Sequence, residues 1–549
     1  MPETLNDPLS HLAAPVAGAL RRASWLAVLS ECLWAGQAAF AGLAIGGLVA
    51  GPGVPPLTAA AGFLALAVLR AGLDLLAERL AQRAANRLVA DTRLRIVAAA
   101  AVQTPRADAP APAALASLIT EKAALLAPWA ARYQPAMARA RIVPLVLLAL
   151  VLPFSWIAAL VLLVAGPLIP LFMALVGMAA RDASERQMAE IGTLNTLLAD
   201  RIAAIADLRL LGASERAGAD LAAASESLRA RTMRVLAVAF LSSTVLELFS
   251  ALGVAMVAVY VGFNLLGELP FGSWGAPLSP AAAIFVLMIA PQFFQPMRDL
   301  AAAWHDRASA LAVAQEVAAV QAEFTASGRI LGTGAAGDPL PPAPFGWRGL
   351  VLRPGAGAAP LTPPDGCVAP GEAVGVSGPS GAGKTTLLAG LAGLLRPDAG
   401  TIRWGDVALD DASADRIRAG IGWIPQAPRF IDAPLSEALT LGRAGDLSAA
   451  LKAAQAEDII AALPGGLDAR LGDLGGGVSG GEARRLMIAR ARHAGAVLIL
   501  ADEPTADLDP ETARAVLNGL LELRARGAAL IVASHDPAVL AAMDRVVAL

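Results

Sequence analysis

Six stretches of the chain stay apolar over about the 20 residues that a helix needs to cross a bilayer: 24–50, 57–77, 136–154, 156–178, 235–267 and 279–297. The third and fourth are separated only by Pro153-Phe-Ser-Trp156. Between the second and third, and again between the fourth and fifth, apolar and charged residues alternate at helical spacing, as at Leu194, Leu197, Leu198, Ile202 and Ile205. These segments predict helices that run well past the bilayer and turn near Thr104-Pro-Arg-Ala-Asp-Ala-Pro110 and near Gly212. After Phe324 the composition shifts to Gly, Pro and Ala, and Gly332 to Pro344 reads as a linker. Beyond it, buried-strand patterns (Ala373-Val-Gly-Val-Ser377, Val497 to Leu500, Ala529-Leu-Ile-Val-Ala533) alternate with helical stretches, which predicts a largely parallel α/β sheet. The expected division is a membrane domain over 1–324, a linker over 325–345 and a soluble domain over 346–549.

Composition agrees with this division. A 56% hydrophobic content and a mean hydropathy of +0.59 place much of the chain in lipid. The net charge of −3 gives no global bias toward nucleic acid, so the placement of the basic residues matters more than their number. Arginine crowds the segments 79–141 and 181–234, whereas the loops Gly51–Pro56 and Gly267–Pro280 contain no Lys or Arg. Because basic loops stay in the cytoplasm, six spans with both termini inside is the arrangement that fits. Arg21-Arg22 precedes an apolar run too long for a signal-peptide core, so that run reads as a retained first span. Cys32 and Cys367 suggest no disulfide framework and read as free, buried thiols.

The soluble half carries nucleotide chemistry. Gly378, Pro379, Ser380, Gly381, Ala382, Gly383, Lys384 and Thr385, followed by Thr386, match G-x-x-x-x-G-K-[ST] between a strand and a helix. Backbone N–H groups of such a loop and the helix N-terminus cradle phosphates, the lysine supplies charge and the threonine hydroxyl suits Mg²⁺. Lysine occurs only at 122, 384 and 452 in a chain that otherwise uses arginine, so its presence here points to a need that arginine does not meet. The strand Val497 to Leu500 delivers Asp502 and Glu503 to the same sheet edge, Asp502 suited to Mg²⁺ and Glu503 to orienting or deprotonating water. Gln426 offers an amide to sense metal and water, and His535, just past another strand, is placed to bind the γ-phosphate. Val478-Ser-Gly-Gly-Glu482 opens a further helix and adds a second phosphate-facing N-terminus.

This last motif resembles the signature of ABC transporters. The resemblance implies that Ser479, Gly480 and Gly481 close over the γ-phosphate held by another subunit's P-loop, so that a dimer is required, and that Ala506-Asp-Leu-Asp509 links the two sites. Two positions depart from the family pattern. Glu482 stands where glutamine is usual, and the stretch expected to carry an adenine-stacking aromatic reads Leu352-Arg353-Pro354, which leaves Arg353 or Trp347 as candidates.

Six spans fused ahead of one ATPase domain resemble an ABC exporter half-transporter. Pro167 to Met178, Ala239 to Ser243, Val257 to Phe263 with Leu266-Gly-Glu268, and Ala290 to Leu300 look like the CydD-type subunit of the bacterial heterodimeric exporter linked to cytochrome bd assembly. That resemblance implies export of cysteine and glutathione across the inner membrane, a CydC-type partner chain, ATP and Mg²⁺ as cofactors, and haem as a proposed ligand or alternative cargo. Charges within or beside spans usually face a cavity or a partner. Arg70, Arg132 and the pair Trp304-His305 are therefore the substrate candidates, the arginines for carboxylates and His305 for a carboxylate or a haem iron. Other readings are a haem transporter of the same fold, a homodimeric lipid, drug or peptide exporter, and an ATP-driven regulator or channel-like sensor that moves no cargo.

Overall fold

The computed structural model describes residues 8–50, 54–104, 112–169, 205–269, 271–335, 337–355, 358–472 and 475–549. The chain divides into two compact units, residues 1–93 with 116–316, and 94–115 with 317–549.

In the first unit a short helix, Pro8–Ala13, leads into α1 (Ala17–Ala50). Then come α2 (Pro56–Ala101), α3 (Pro112–Thr120), α4 (Gln134–Val151), α5 (Trp156–Ile169), α6 (Ile205–Leu210), α7 (Ser214–Leu265), α8 (Pro280–Ala302) and α9 (Trp304–Ser327). Among the described residues, five helices are long and apolar enough to cross a membrane, in α1, α2, α4, α7 and α8–α9. The expected span over 156–178 is described only as far as Ile169, and Leu194, Leu197, Leu198 and Ile202 lie outside the described residues. The expected long extensions are present. α2 has 46 residues and α7 has 52, which at 1.5 Å per residue is roughly 70 and 80 Å, about twice a bilayer core. Gly212, at φ +65°, turns the chain between α6 and α7 as expected. The other expected turn, at Pro105 to Pro110, lies outside the described residues.

Helix α8 is the hub of this unit, packed on α1, α4 and α7. Leu147 of α4, Leu162 of α5, Val261 of α7 and Ile289 and Phe294 of α8 form its buried centre. At one point α1 and α8 touch backbone to backbone: a Cβ on Gly42 would lie 2.6 Å from the carbonyl of Ala281, and one on Gly46 2.6 Å from the amide of Ala281. Glycine four residues apart on one helix face is the usual way to bring membrane helices this close. The Trp34 indole adds a hydrogen bond to the Met288 carbonyl at 3.2 Å. By contrast α2 leaves Leu57, Leu64 and Val68 exposed, as a lipid-facing helix does.

The second unit is α/β. An antiparallel sheet runs in the order β2-β1-β4-β5, from β1 (Phe345–Val351), β2 (Gly366–Val368), β4 (Ala399–Trp404) and β5 (Val407–Ala408). A parallel sheet runs β6-β7-β8-β3-β9, from β3 (Ala373–Ser377), β6 (Ile421–Ile424), β7 (Leu498–Asp502), β8 (Ala529–Ala533) and β9 (Arg545–Ala548). β7 and β8 are buried along their whole length, which is why they read as continuous apolar runs rather than alternating ones. Helices α10 (Lys384–Leu391), α11 (Gly480–His493) and α12 (Pro510–Ala525) complete the parts that shape the site.

The linker is tied down. Asp415 accepts from the Thr333 amide and hydroxyl at 2.9 and 2.6 Å and from the Gly334 amide at 2.9 Å, and it pairs with Arg418. Cys367 lies exposed on β2, not buried as expected, because it occupies an outward position of an edge strand; Cys32 is half-buried.

Candidate functional site

The parallel sheet brings four chain segments to one edge. β3, β6, β7 and β8 all point their carboxyl ends the same way, so the P-loop, Gln426, Asp502-Glu503 and Ser534-His535 emerge together, where α/β sheets bind ligands.

Within the P-loop, Gly381 and Gly383 adopt φ of +85° and +95°, values that favour glycine. Gly383 caps α10 and sets its first amides toward the loop. The Lys384 ammonium, almost wholly buried, donates to the Gly378 carbonyl at 2.9 Å and lies 3.0 Å from Glu503 Oε1. Thr385 donates its hydroxyl to Asp502 Oδ2 at 2.7 Å. The other oxygen, Asp502 Oδ1, is buried with no hydrogen-bond partner, a costly situation that a cation relieves. Burial pushes the Asp502 carboxyl above its ordinary range, a push that the Thr385 hydrogen bond and Lys384 only partly oppose. A hydroxyl and an orphaned carboxylate oxygen are the hard donors Mg²⁺ takes, with nucleotide phosphates and water supplying the rest. Among the described residues no cluster of three His, Cys, Asp or Glu side chains forms a metal site of its own.

Glu503 sits in the left-handed region at φ +46°, held by its amide's hydrogen bond to the Ala533 carbonyl at 2.9 Å. That backbone aims its carboxylate between Lys384 and His535 Nδ1, the latter at 2.9 Å. Burial works to raise the Glu503 carboxyl, but hydrogen bonds from His535 and Lys384 outweigh it and hold the group below the usual carboxylate range. Glu503 is therefore a carboxylate at neutral pH, the form able to accept a proton or orient water. His535 itself is exposed, with only its Glu503 side engaged.

The signature segment is built around a cap. Ser479 is the N-cap of α11: its hydroxyl accepts from the Glu482 amide at 3.3 Å, while its own amide donates to Glu482 Oε2 at 2.7 Å. This capping box gives the unusual Glu482 a local task that either glutamate or glutamine performs. Ser479 and Gly480 are exposed, and Gly481 is buried against Thr512. Asp509 caps α12 by accepting from the Glu511 and Thr512 amides at 3.0 Å. Arg484, unremarked in the sequence, ties these pieces together: it donates to the Ala506 carbonyl at 2.8 Å and to the Gln426 carbonyl at 3.2 Å. Trp347 cannot stack on a nucleotide base. It is 1% exposed, with its indole bonded to the Pro364 carbonyl. Arg353 is paired with Asp398 at 3.1 Å.

In the membrane unit Arg70, Arg132 and Trp304 have neighbours that spacing did not reveal. Arg70 lies 3.4 Å from Glu31 and over the Trp34 ring at 5.3 Å, and Asp74 lines a cavity with both Arg70 and Glu31. Arg132 lies 3.5 Å from Asp306. Trp304 meets Tyr133 edge to face, with centroids 6.4 Å apart, and His305 is exposed on α9. Arg70 and Arg132 thus each already have a carboxylate beside them.

A helical membrane unit joined to an ATPase of this geometry defines an ABC transporter, and the chain belongs to that family: residues 25–288 match the ABC transporter transmembrane region and residues 361–506 match the ABC transporter family. It is an ATP-hydrolysing transport protein. Within the family it belongs with the CydD and CydC proteins. It is 35% identical over 84% of its length to the transport ATP-binding protein AarD of Providencia stuartii, covering 79% of that protein. It is 36% identical over 76% of its length to the glutathione/L-cysteine transport system ATP-binding/permease protein CydD of Escherichia coli, covering 71%. The corresponding CydC protein of Bacillus subtilis is 29% identical over 89% of the chain and 84% of its own length.

Proposed function

We propose that this chain is the CydD-type half of a heterodimeric exporter that moves cysteine and glutathione from the cytoplasm across the inner membrane, in support of cytochrome bd assembly. The carrying observation is that likeness to relatives named for glutathione/L-cysteine transport runs through both halves of the chain rather than through the ATPase alone. Arginine-rich segments between the apolar ones support six spans, with 1–324 as the membrane domain, 346–549 as the ATPase domain and both termini inside.

ATP binds with its phosphates on the 378–386 loop and Lys384. Thr385 and Asp502 hold Mg²⁺, which supplies charge neutralisation along the phosphates, and Gln426 faces the same edge. Glu503 orients and deprotonates water, and His535 stabilises charge on the γ-phosphate. Ser479, Gly480 and Gly481, with Asp509, complete the site on the partner chain. Because Ser479 and Gly480 stay exposed while their helix is fully capped from within, they are available to a second chain. A haem reading takes His305 for the iron and Arg70 and Arg132 for the propionates, and among the described residues no further contact favours it.

Inside-out vesicles carrying the complex with its CydC-type partner should accumulate labelled glutathione and cysteine when given ATP and lose this with Glu503→Gln. ATP hydrolysis at an undiminished rate with no accumulation of either thiol would instead support a regulator or sensor.

A further inference from the structure

Four helices converge on one carboxylate. Glu31 of α1, 6% exposed, lies 3.4 Å from Arg70 of α2 and 3.7 Å from Arg139 of α4, and it accepts a hydrogen bond from Gln292 of α8. Arg139 reaches onward to Asp299 of α8 at 3.8 Å. Glu31, Arg70, Arg139 and Asp299 line a cavity of about 510 Å³ together with Asp74, Glu78 and Arg132. The cavity is large enough for an amino acid or a tripeptide, since ligand sites of this kind run from about 300 to 1,000 Å³.

Two features distinguish the cluster from a simple tie between helices. The first is incomplete satisfaction of Arg139. Both of its acidic neighbours lie beyond hydrogen-bond reach, and its Nε is buried with no partner. A guanidinium so placed retains donors in a fork that matches a carboxylate. The second is the mixed sign of the lining, three guanidinium groups and four carboxylates. A cavity built for an anion would carry excess positive charge, and one built for an amine would carry excess negative charge. Near balance of the two signs around one cavity suits a ligand that carries both charges a few ångströms apart.

We infer that this cavity binds the zwitterionic α-amino-acid head that cysteine shares with the γ-glutamyl end of glutathione. The ligand carboxylate meets Arg139 and Arg70, and its ammonium meets Glu31 and Asp299. The thiol is then not the group read here; one head group would admit two cargoes of different length. This inference rests on the thiol-export reading and specifies where that cargo is held.

The test uses inside-out proteoliposomes containing the purified heterodimer, with ATP-driven uptake of labelled cysteine challenged by 3-mercaptopropionate, which lacks the amine, or cysteamine, which lacks the carboxylate. Both analogues should compete at least about 10-fold more weakly than unlabelled cysteine, since each forgoes a charge-assisted hydrogen-bonded pair. Glu31→Gln should raise KM for cysteine by about 10-fold, with a smaller change in maximal rate, and narrow the preference over 3-mercaptopropionate. Arg139→Met should narrow the preference over cysteamine, and Arg139→Lys should restore part of it. Wild-type transport inhibited equally by cysteine and by both analogues would overturn the inference. So would variants that slow uptake while leaving both preferences intact, the outcome expected of a helix tie. Absence of any wild-type thiol uptake would instead reject the export reading, and with it this assignment.

Discussion

At the scale of single residues, the nucleotide site is organised by what each carboxylate lacks. Asp502 has an oxygen without a partner and so calls for a cation, whereas both Glu503 oxygens are engaged, by Lys384 and by His535. Replacing Glu503 by Gln removes the basic oxygen while keeping the side chain's shape. ATP turnover by the complex should fall about 10²–10³-fold with nucleotide affinity retained, the usual scale of losing a positioned base; a fluorescent-nucleotide titration beside a phosphate-release assay checks both halves. Glu482 makes the opposite case. Glu482→Gln preserves the acceptor of the capping box, so stability stays level and turnover is unchanged or raised, while Glu482→Ala should cost about 1 kcal/mol in a thermal melt. The P-loop, Asp502-Glu503 and His535 were legible in the sequence because phosphate chemistry demands fixed residue types at fixed spacing beside strands. Glu31 and Arg139 were not, because their meaning lies in partners as far as 261 positions away, and no local pattern encodes such a meeting.

At the scale of elements, strand and helix types followed from periodicity, but contacts between elements did not. The sequence shows a glycine at 42 and at 46; only the packed helices show that both lie against the backbone of Ala281. Gly46→Val should therefore force α1 from α8 and destabilise the membrane unit by about 1–3 kcal/mol, as overpacking does, seen as a lower melting temperature and loss of a monodisperse peak in detergent. A linker rich in Gly and Pro looks loose, yet Asp415 gathers its Thr333 and Gly334 amides. Burial tends to raise the Asp415 carboxyl, but hydrogen bonds from Thr333, Arg418 and Gly334 prevail and lower it from 3.8 to about 2. A carboxyl depressed in the folded state contributes stability above its unfolded value, and loses it as pH falls through the folded one. The contribution, at most about 2 kcal/mol for a partly solvated group, should fade between pH 4 and 2 by this shift. Asp415→Asn should flatten that part of a stability-against-pH curve measured on the full chain.

At the scale of the whole molecule, the long helix α2, the linker and the signature each bear on the proposal that this chain is half of a pump. Residues 94–115, which include the far end of α2 and the start of α3, cluster with the ATPase unit. There Gln103 pairs with Arg329, and the Ile330 amide donates to the Val102 carbonyl at 3.0 Å. A single helix, α2, thus carries Arg70 beside the polar cavity and ends next to the segment that bonds the linker. What the chain does not supply is a second phosphate-closing surface. Its signature serine and Gly480 are turned outward, and α11 needs nothing more from within the chain, since its capping box and Arg484 already fix it. The expected outcome is that the chain purified alone hydrolyses ATP at less than about a tenth of the rate of the heterodimer, the loss expected when groups that stabilise transition-state charge are withheld. Ser479→Arg on this chain should lower the heterodimer's rate while leaving assembly intact by size-exclusion chromatography. Full activity from the isolated chain as a homodimer would place it among exporters that pair with themselves, and would remove the need for a CydC-type partner.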